Sequence, residues 1–263
     1  MVSRNFIDGR ILNEIKSKKE QLDSCNHCVI KNAIKRYKEN CIENEATLHS
    51  FRIEHDSQFF RTDYNTHASK RTIRKGASNI KHAMIWGLRN INLHKFDEAF
   101  VKEIAVKSAP EVFMSDLGYY RTDKAKVIGS DWTPPEAIKV PRDMKRFTQF
   151  ITWNTDKEDI STVIESAIYA HLHLVRIHPF EDGNGRTART LQNVILESVG
   201  LPPPIIYAGE RHDYYGHLQN AINGWRDRTG SDSDQIGDSP AENSFYDYMA
   251  GKISASLDRV LNR

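Results

Sequence analysis

The 263-residue chain predicts a mainly α-helical fold with one small β-hairpin. Apolar residues recur at intervals of three and four through most of its length, which is the spacing of a helix face. Residues 118–135 replace that rhythm with a strand-like one. There, aromatic and β-branched residues are punctuated by Gly and Pro, as suits a hairpin. A glycine-rich turn, Gly183-Asn184-Gly185, follows the most apolar helical stretch and precedes another. The length suffices for one substantial domain with a short appendage. The expected division is an N-terminal helical region over 1–70 and a core with a C-terminal helix over 71–263.

Each element has its own signal. Phe6, Ile7, Ile11, Leu12, Ile15 and Leu22 predict a helix within 5–23, and Val29, Ile30, Ala33, Ile34 and Tyr37 one from Val29 to Leu48. Residues 54–75 are polar and read as a loop. A helix over 72–91 follows from Ile73, Ala77, Ile80, Ala83, Met84, Trp86 and Leu88, and another over 96–106 from Phe96, Phe100 and Ile104. Pro141 sits near the first turn of a short helix to Trp153. Residues 159–175 are apolar over most of the circumference, so this helix is expected at the centre, with His171 and His173 buried and hydrogen-bonded. Gly200-Leu201-Pro202-Pro203-Pro204 is a stop. A helix then begins near Gly209, residues 230–242 are loop, and an amphipathic helix over 245–261 closes the chain.

Composition narrows the function classes. With 37 basic and 35 acidic residues the net charge is +2, so neither nucleic acid nor a membrane surface is an expected partner. No apolar run approaches a membrane span, and residues 1–10 lack a signal-peptide core. A cytoplasmic setting is expected, native or reached by delivery. Three cysteines make no disulfide framework, and Cys25-Asn26-His27-Cys28 has no second pair at zinc spacing, so reduced thiols are expected.

Chemistry concentrates in His178-Pro179-Phe180-Glu181-Asp182-Gly183-Asn184-Gly185-Arg186-Thr187-Ala188-Arg189. The Gly-Asn-Gly turn can aim successive backbone N–H groups at one point, and a helix starting near Arg186 adds its dipole, making an anion site. Arg186 and Arg189 are three apart and share a side of the first turn. Arginine suits bidentate phosphate contact. Asp182 would repel phosphate at this edge unless a cation lay between them, which is the logic of a Mg²⁺ ligand. His178 can accept a proton near neutral pH.

This stretch resembles the signature of the Fic family, HPFx(D/E)GNGRxxR, with every fixed position filled. The resemblance, over about residues 38–225, implies a protein adenylyltransferase that moves AMP from ATP to a Ser, Thr or Tyr hydroxyl of a target protein. It implies Mg²⁺ on Asp182, phosphates on Gly183, Asn184 and Gly185, contacts from Arg186 and Arg189, an α-phosphate oriented by the Asn184 side chain, and His178 as base. Gly118-Tyr119-Tyr120-Arg121 and the closing Pro134-Pro135 resemble the frame of the family's flap. That places the target backbone against Val127, Ile128, Gly129, Ser130, Asp131, Trp132 and Thr133. In the helix after residue 209, Tyr215 is the implied adenine contact and Tyr214 the alternative.

Ile42-Glu43-Asn44 resembles the family's inhibitory motif, (S/T)xxxE(G/N), with Glu39 where the hydroxyl residue belongs. Glu43 is therefore expected to pair with Arg189 in the place of the γ-phosphate. Glu54, in Phe51-Arg52-Ile53-Glu54-His55-Asp56, is the rival carboxylate. Self-modification and a homodimer are left open. Removal of AMP through the same residues, a Doc-like protein kinase, and an adaptor without catalysis that presents the hairpin edge are the other readings. The kinase fits less well, because Doc-type loops replace the first glycine.

Overall fold

The computed structural model describes residues 6–25, 28–55, 69–113, 118–127, 130–155, 159–229 and 239–262. The α-helices among them are α1 (Gly9–Ser24), α2 (Cys28–Tyr37), α3 (Glu43–His55), α4 (Lys70–Asn90), α5 (Glu98–Ser108), α6 (Val140–Thr155), α7 (Ile160–Ile177), α8 (Asn184–Ser198), α9 (Arg211–Thr229) and α10 (Pro240–Leu261). A π-helical turn, Lys38–Ile42, joins α2 to α3, so helix runs unbroken from Cys28 to His55. It does not end at Leu48 as expected. Side chains satisfy the orphan N–H groups at helix starts. Asp8, Ser69, Asp97, Asp159 and Ser239 cap α1, α4, α5, α7 and α10.

The centre is the α7–α8 pair: α7 is apolar over most of its circumference, and α8 lies along it with both its apolar residues and polar ones such as Arg186, Thr190 and Gln192 buried. α6 packs against α7; α4 and α5 pack against α8; α3 lies on α4 and α8; α1 and α9 lie on α10. Ile164, Ile168, Leu172, Leu191, Val194 and Ile195 are fully buried in this core. Ile7, Leu12, Ile15, Phe51 and Ile53 join the same cluster, so α1 and α3 share one core with the rest of the described chain. An added Cβ at Gly76 would meet the Phe51 ring at 1.9 Å; the missing side chain lets α3 settle against α4.

The histidines of α7 are buried as expected. His171 bonds through Nδ1 to Gln192 Oε1 and through Nε2 to Tyr214 Oη, each at 2.7 Å. The amide oxygen can only accept, so the ring proton sits on Nδ1 and the tyrosine hydroxyl donates to Nε2. Burial holds this imidazole neutral, with its pKa near 3. His173 Nδ1 accepts from Arg176 Nε at 2.9 Å.

The hairpin is the main departure. No strand occurs among the described residues, and 118–127 and 130–136 run as irregular chain. The backbone carbonyls of Asp123 and Pro135 are taken by the Arg121 guanidinium, and Ser130 turns back on Val127. Local and side-chain bonds thus replace a ladder. Ile128 and Gly129 lie outside the described residues, as do Asn26, His27 and the Cys28 side chain. No described helix is long and apolar enough to cross a membrane.

Leu172 is fully buried at the centre of α7. Leu172→Ala should destabilise the fold by about 2–5 kcal/mol, read from urea unfolding. A loss well under about 1 kcal/mol would contradict its central placement.

Candidate active site

α7 ends in a left-handed residue. His178 has φ 52° and ψ 57°, and its N–H still bonds Leu174 O at 2.9 Å. A non-glycine residue there carries roughly 1 kcal/mol of strain. The loop beyond is held tightly. Phe180 is fully buried between Phe113 and Tyr120. The Asn184 amide accepts from Phe180 N and donates to Phe180 O, both at 2.9 Å. Gly183 turns the chain at φ 74°, where a Cβ would meet Ala109 Cβ at 2.7 Å. Thr187 N then donates to Gly183 O, which starts α8. The N–H groups of Asn184, Gly185 and Arg186 therefore face the site without intrahelical acceptors.

Glu54 sits on that helix start. Its Oε1 is 2.6 Å from Arg189 NH2, and its Oε2 is 3.2 Å from Arg186 Nε. A Cβ on Gly185 would lie 2.3 Å from Glu54 Oε1, so the carboxylate rests directly over the glycine. Ser50, one turn earlier on α3, accepts from Arg189 through both its hydroxyl and its carbonyl, at 2.9 Å each. Burial alone would raise the Glu54 carboxyl, but Arg189 and Arg186 outweigh it and hold the pKa below the usual carboxylate range. An anion at a helix N-terminus between two arginines is the arrangement a phosphate would take.

This overturns the expected pairing of Glu43 with Arg189. Glu43 opens α3 and meets the far end of α8, beside Glu197 and Lys38. The reason is the length of the helix: α3 continues to His55, so its last turn, not its first, reaches the start of α8. The motif also fits better there, since Ser50 stands four before Glu54, though His55 follows where Gly or Asn is usual. Ser50 was the available signal. At the far end Glu197, its side chain 2% exposed, is pushed up to about 7 by burial, with the Glu43 carboxylate adding to the shift and Lys38 opposing it.

Arg186 is fully buried and surrounded by acid. Besides Glu54 it bonds Glu111 and lies 3.8 Å from Asp182. Nothing in the signature points to Glu111. Asp182 is exposed at the rim, with Oδ1 accepting from Gly183 N at 2.6 Å. No cluster of three acidic, His or Cys ligands occurs among the described residues. A single rim carboxylate beside an anion site fits Mg²⁺, which keeps most of its waters and takes further oxygens from substrate phosphates.

The other predicted residues fall as follows. His178 is half-buried, and burial lowers its pKa to about 4, so the imidazole is a free base at neutral pH. The Asn184 amide is committed to Phe180 and not turned to the phosphate position expected for it, because the loop's own N–H and C=O need that partner. Tyr214 is fully buried, its hydroxyl 3.4 Å from Arg189 NH1. Tyr215 is half-buried with the Arg211 guanidinium 5.1 Å over its ring, so of the two it has the face nearer the surface. Trp132 is buried with its ring against His178, centroids 6.2 Å apart. Asp131 is tied to α9 by Gln219 at 3.0 Å. Val127 is half-buried and Thr133 exposed.

The fold and the site together define a helical protein built on a histidine, an anion-binding turn and paired arginines. Residues 95–196 match the Fic/DOC family model. It is 45% identical over 111 residues to "Protein adenylyltransferase Fic" of Nematostella vectensis, a match covering 41% of this chain and 25% of that one. Over 83% of its length it is 28% identical to the Drosophila persimilis protein of the same name, of which 43% is covered. The chain thus spans less than half the length of these relatives. A Fic domain containing signaling protein from Bacteroides thetaiotaomicron superposes with a TM-score of 0.72 at 18% identity, covering 96% of this chain and 97% of that one. At that identity the likeness concerns the fold.

Two stability experiments follow. Glu54 has a lowered folded pKa, so its pairing stabilises the protein above the unfolded value of 4.5 and is lost as pH falls through the folded one. Glu54→Gln should be less stable by about 3 kcal/mol at neutral pH, and the gap to wild type should close in acid. A gap independent of pH would contradict the ion pairs. Glu197 has the opposite sign: its favourable contribution is complete below its unfolded value of 4.5 and is lost as pH rises towards 7. Glu197→Gln should flatten the fall in stability over that interval; an unchanged slope would contradict a Glu197 carboxyl raised by its burial beside Glu43.

Proposed function

We propose that the chain transfers AMP from ATP to a hydroxyl of a protein, with Glu54 as an internal brake. The observation that carries this reading is the Glu54 carboxylate over Gly185, between Arg186 and Arg189, close to a neutral His178. The relatives' printed names, each a protein adenylyltransferase, support the same activity.

In this reading the triphosphate lies on the N–H groups at the start of α8. Asp182 would hold Mg²⁺, whose contribution when bound is to neutralise phosphate charge. His178 takes the proton from a Ser, Thr or Tyr hydroxyl as that oxygen attacks the α-phosphorus. The bond from the α-phosphorus to the bridging oxygen breaks, and pyrophosphate leaves with the electron pair. Arg186 meets the charge that builds on it. Tyr215 is the adenine contact, and the segment around Val127 to Thr133 receives the target. ATP can seat its terminal phosphate fully only if Glu54 releases Arg189; the resting ion pair therefore holds the nucleotide out of line. The chain is also an acceptor for its own label in this proposal.

With α-labelled ATP and Mg²⁺, Glu54→Gly should raise label on protein by about 10-fold or more, while Glu43→Gly should match wild type. Adding His178→Ala to Glu54→Gly should remove about 10²–10⁴-fold of that rate. Label retained only from γ-labelled ATP would mean a kinase. No incorporation from either, with or without Glu54, would overturn transfer altogether.

A further inference from the structure

Arg121 has no part in the anion site, yet it is 4% exposed. Its guanidinium donates from Nε to His178 O at 2.7 Å, from NH1 to Asp123 O at 2.7 Å and from NH2 to Pro135 O at 2.5 Å. Its own N–H donates to Pro179 O at 2.9 Å. Among the described residues it faces no carboxylate, and burial lowers its pKa. A buried cation without a counter-ion is expensive unless every donor has a firm acceptor.

The three acceptors come from separate places. Asp123 and Pro135 are the two ends of the segment that carries Trp132, and His178 is the residue whose imidazole Trp132 touches. The left-handed turn at His178 throws its carbonyl out of the α7 ladder, where it needs an outside donor. Arginine's rigid fork can span three such carbonyls; the single ammonium of lysine, on a flexible stem, cannot hold the same geometry.

We propose that Arg121 is a positioning residue: it fixes the 123–135 segment at a set distance from the His178 imidazole, and so sets where an accepting hydroxyl meets the reacting phosphate. The inference rests on the adenylyl-transfer reading above. It predicts a division of effects. The phosphate contacts of Arg186, Arg189 and the start of α8 do not pass through Arg121, so nucleotide binding should survive its loss. The rate of transfer should not.

The test uses the full chain carrying Glu54→Gly, with Arg121→Lys and Arg121→Ala added separately. α-Labelled ATP and Mg²⁺ are the probes, and the chain itself and lysate protein are the acceptors. The maximal rate should fall by about 10²-fold in both variants, with the half-saturating ATP concentration and the calorimetric ATP Kd within about threefold of the parent. Added guanidinium ion should restore part of the rate in Arg121→Ala. Equal losses of rate and ATP affinity, or no loss, would overturn the proposal.

Backbone hydrogen exchange supplies an arm that needs no activity. In Arg121→Lys, residues 122–127 and 130–136 should exchange faster, while those of α8 keep their protection. Faster exchange throughout the molecule would mean a general fold defect and would also overturn it. If the Glu54→Gly parent transfers no label, the adenylyl-transfer reading fails while the exchange pattern still decides whether Arg121 holds the segment.

Discussion

The arrangement depends on one electrostatic contact: the Glu54 carboxylate seated at the N-terminus of α8 between Arg186 and Arg189. Two guanidinium groups this deeply buried repel each other and have lost most of their water, so they require an anion. The helix dipole and the free N–H groups at its start add to that demand. The protein meets the demand with its own carboxylate, carried on the last turn of α3. Any outside anion that binds here must compete with a partner already in place. Freeing the arginines needs no change of fold, only the retreat of one side chain or of the turn that bears it.

Packing decides how firmly that carboxylate is held. α3 lies against α4 and α8, with Phe51 pressed onto Gly76 and stacked 4.1 Å from His55. Ser50 adds two bonds to Arg189, and behind Arg189 a buried chain runs through Tyr214 and His171 to Gln192. Because each of these groups is spoken for, the arginine has a single orientation. The far end of α3 carries the opposite electrostatics, with Glu43 beside Glu197. The same helix pair thus joins a favourable ion pair at one end to a carboxylate contact at the other.

Much of this was legible from residue order. The spacing of His178, Asp182, the Gly-Asn-Gly turn and the two arginines is local, and local geometry determines an anion site. The apolar circumference of 159–175 placed α7 at the centre. The carboxylate that pairs with Arg189 was harder because the deciding fact is tertiary. Glu43 has the more familiar neighbours, but the π-turn at Lys38–Ile42 inserts a residue and rotates everything after it, so the face read from Val29 to Tyr37 does not carry into α3. Only the full length of that helix shows which carboxylate reaches the start of α8. Ser50 four residues before Glu54 was the clue, and it carries more weight than Asn44 after Glu43. The hairpin was misread because its alternation of residue types suits strands while its carbonyls bond a side chain. Arg121 and Glu111 could not be singled out, since an arginine that bonds only carbonyls and an acid from a distant turn leave no periodic trace.

The most direct test is crystallographic: ATP-bound structures of the wild-type chain and of Glu54→Gly. The account predicts that in Glu54→Gly the terminal phosphate lies within hydrogen-bond distance of Arg189, in the place vacated by the carboxylate. In the wild type, Glu54 should still hold that arginine, with the triphosphate displaced. An identical pose in both proteins, or a triphosphate away from the start of α8, would contradict it.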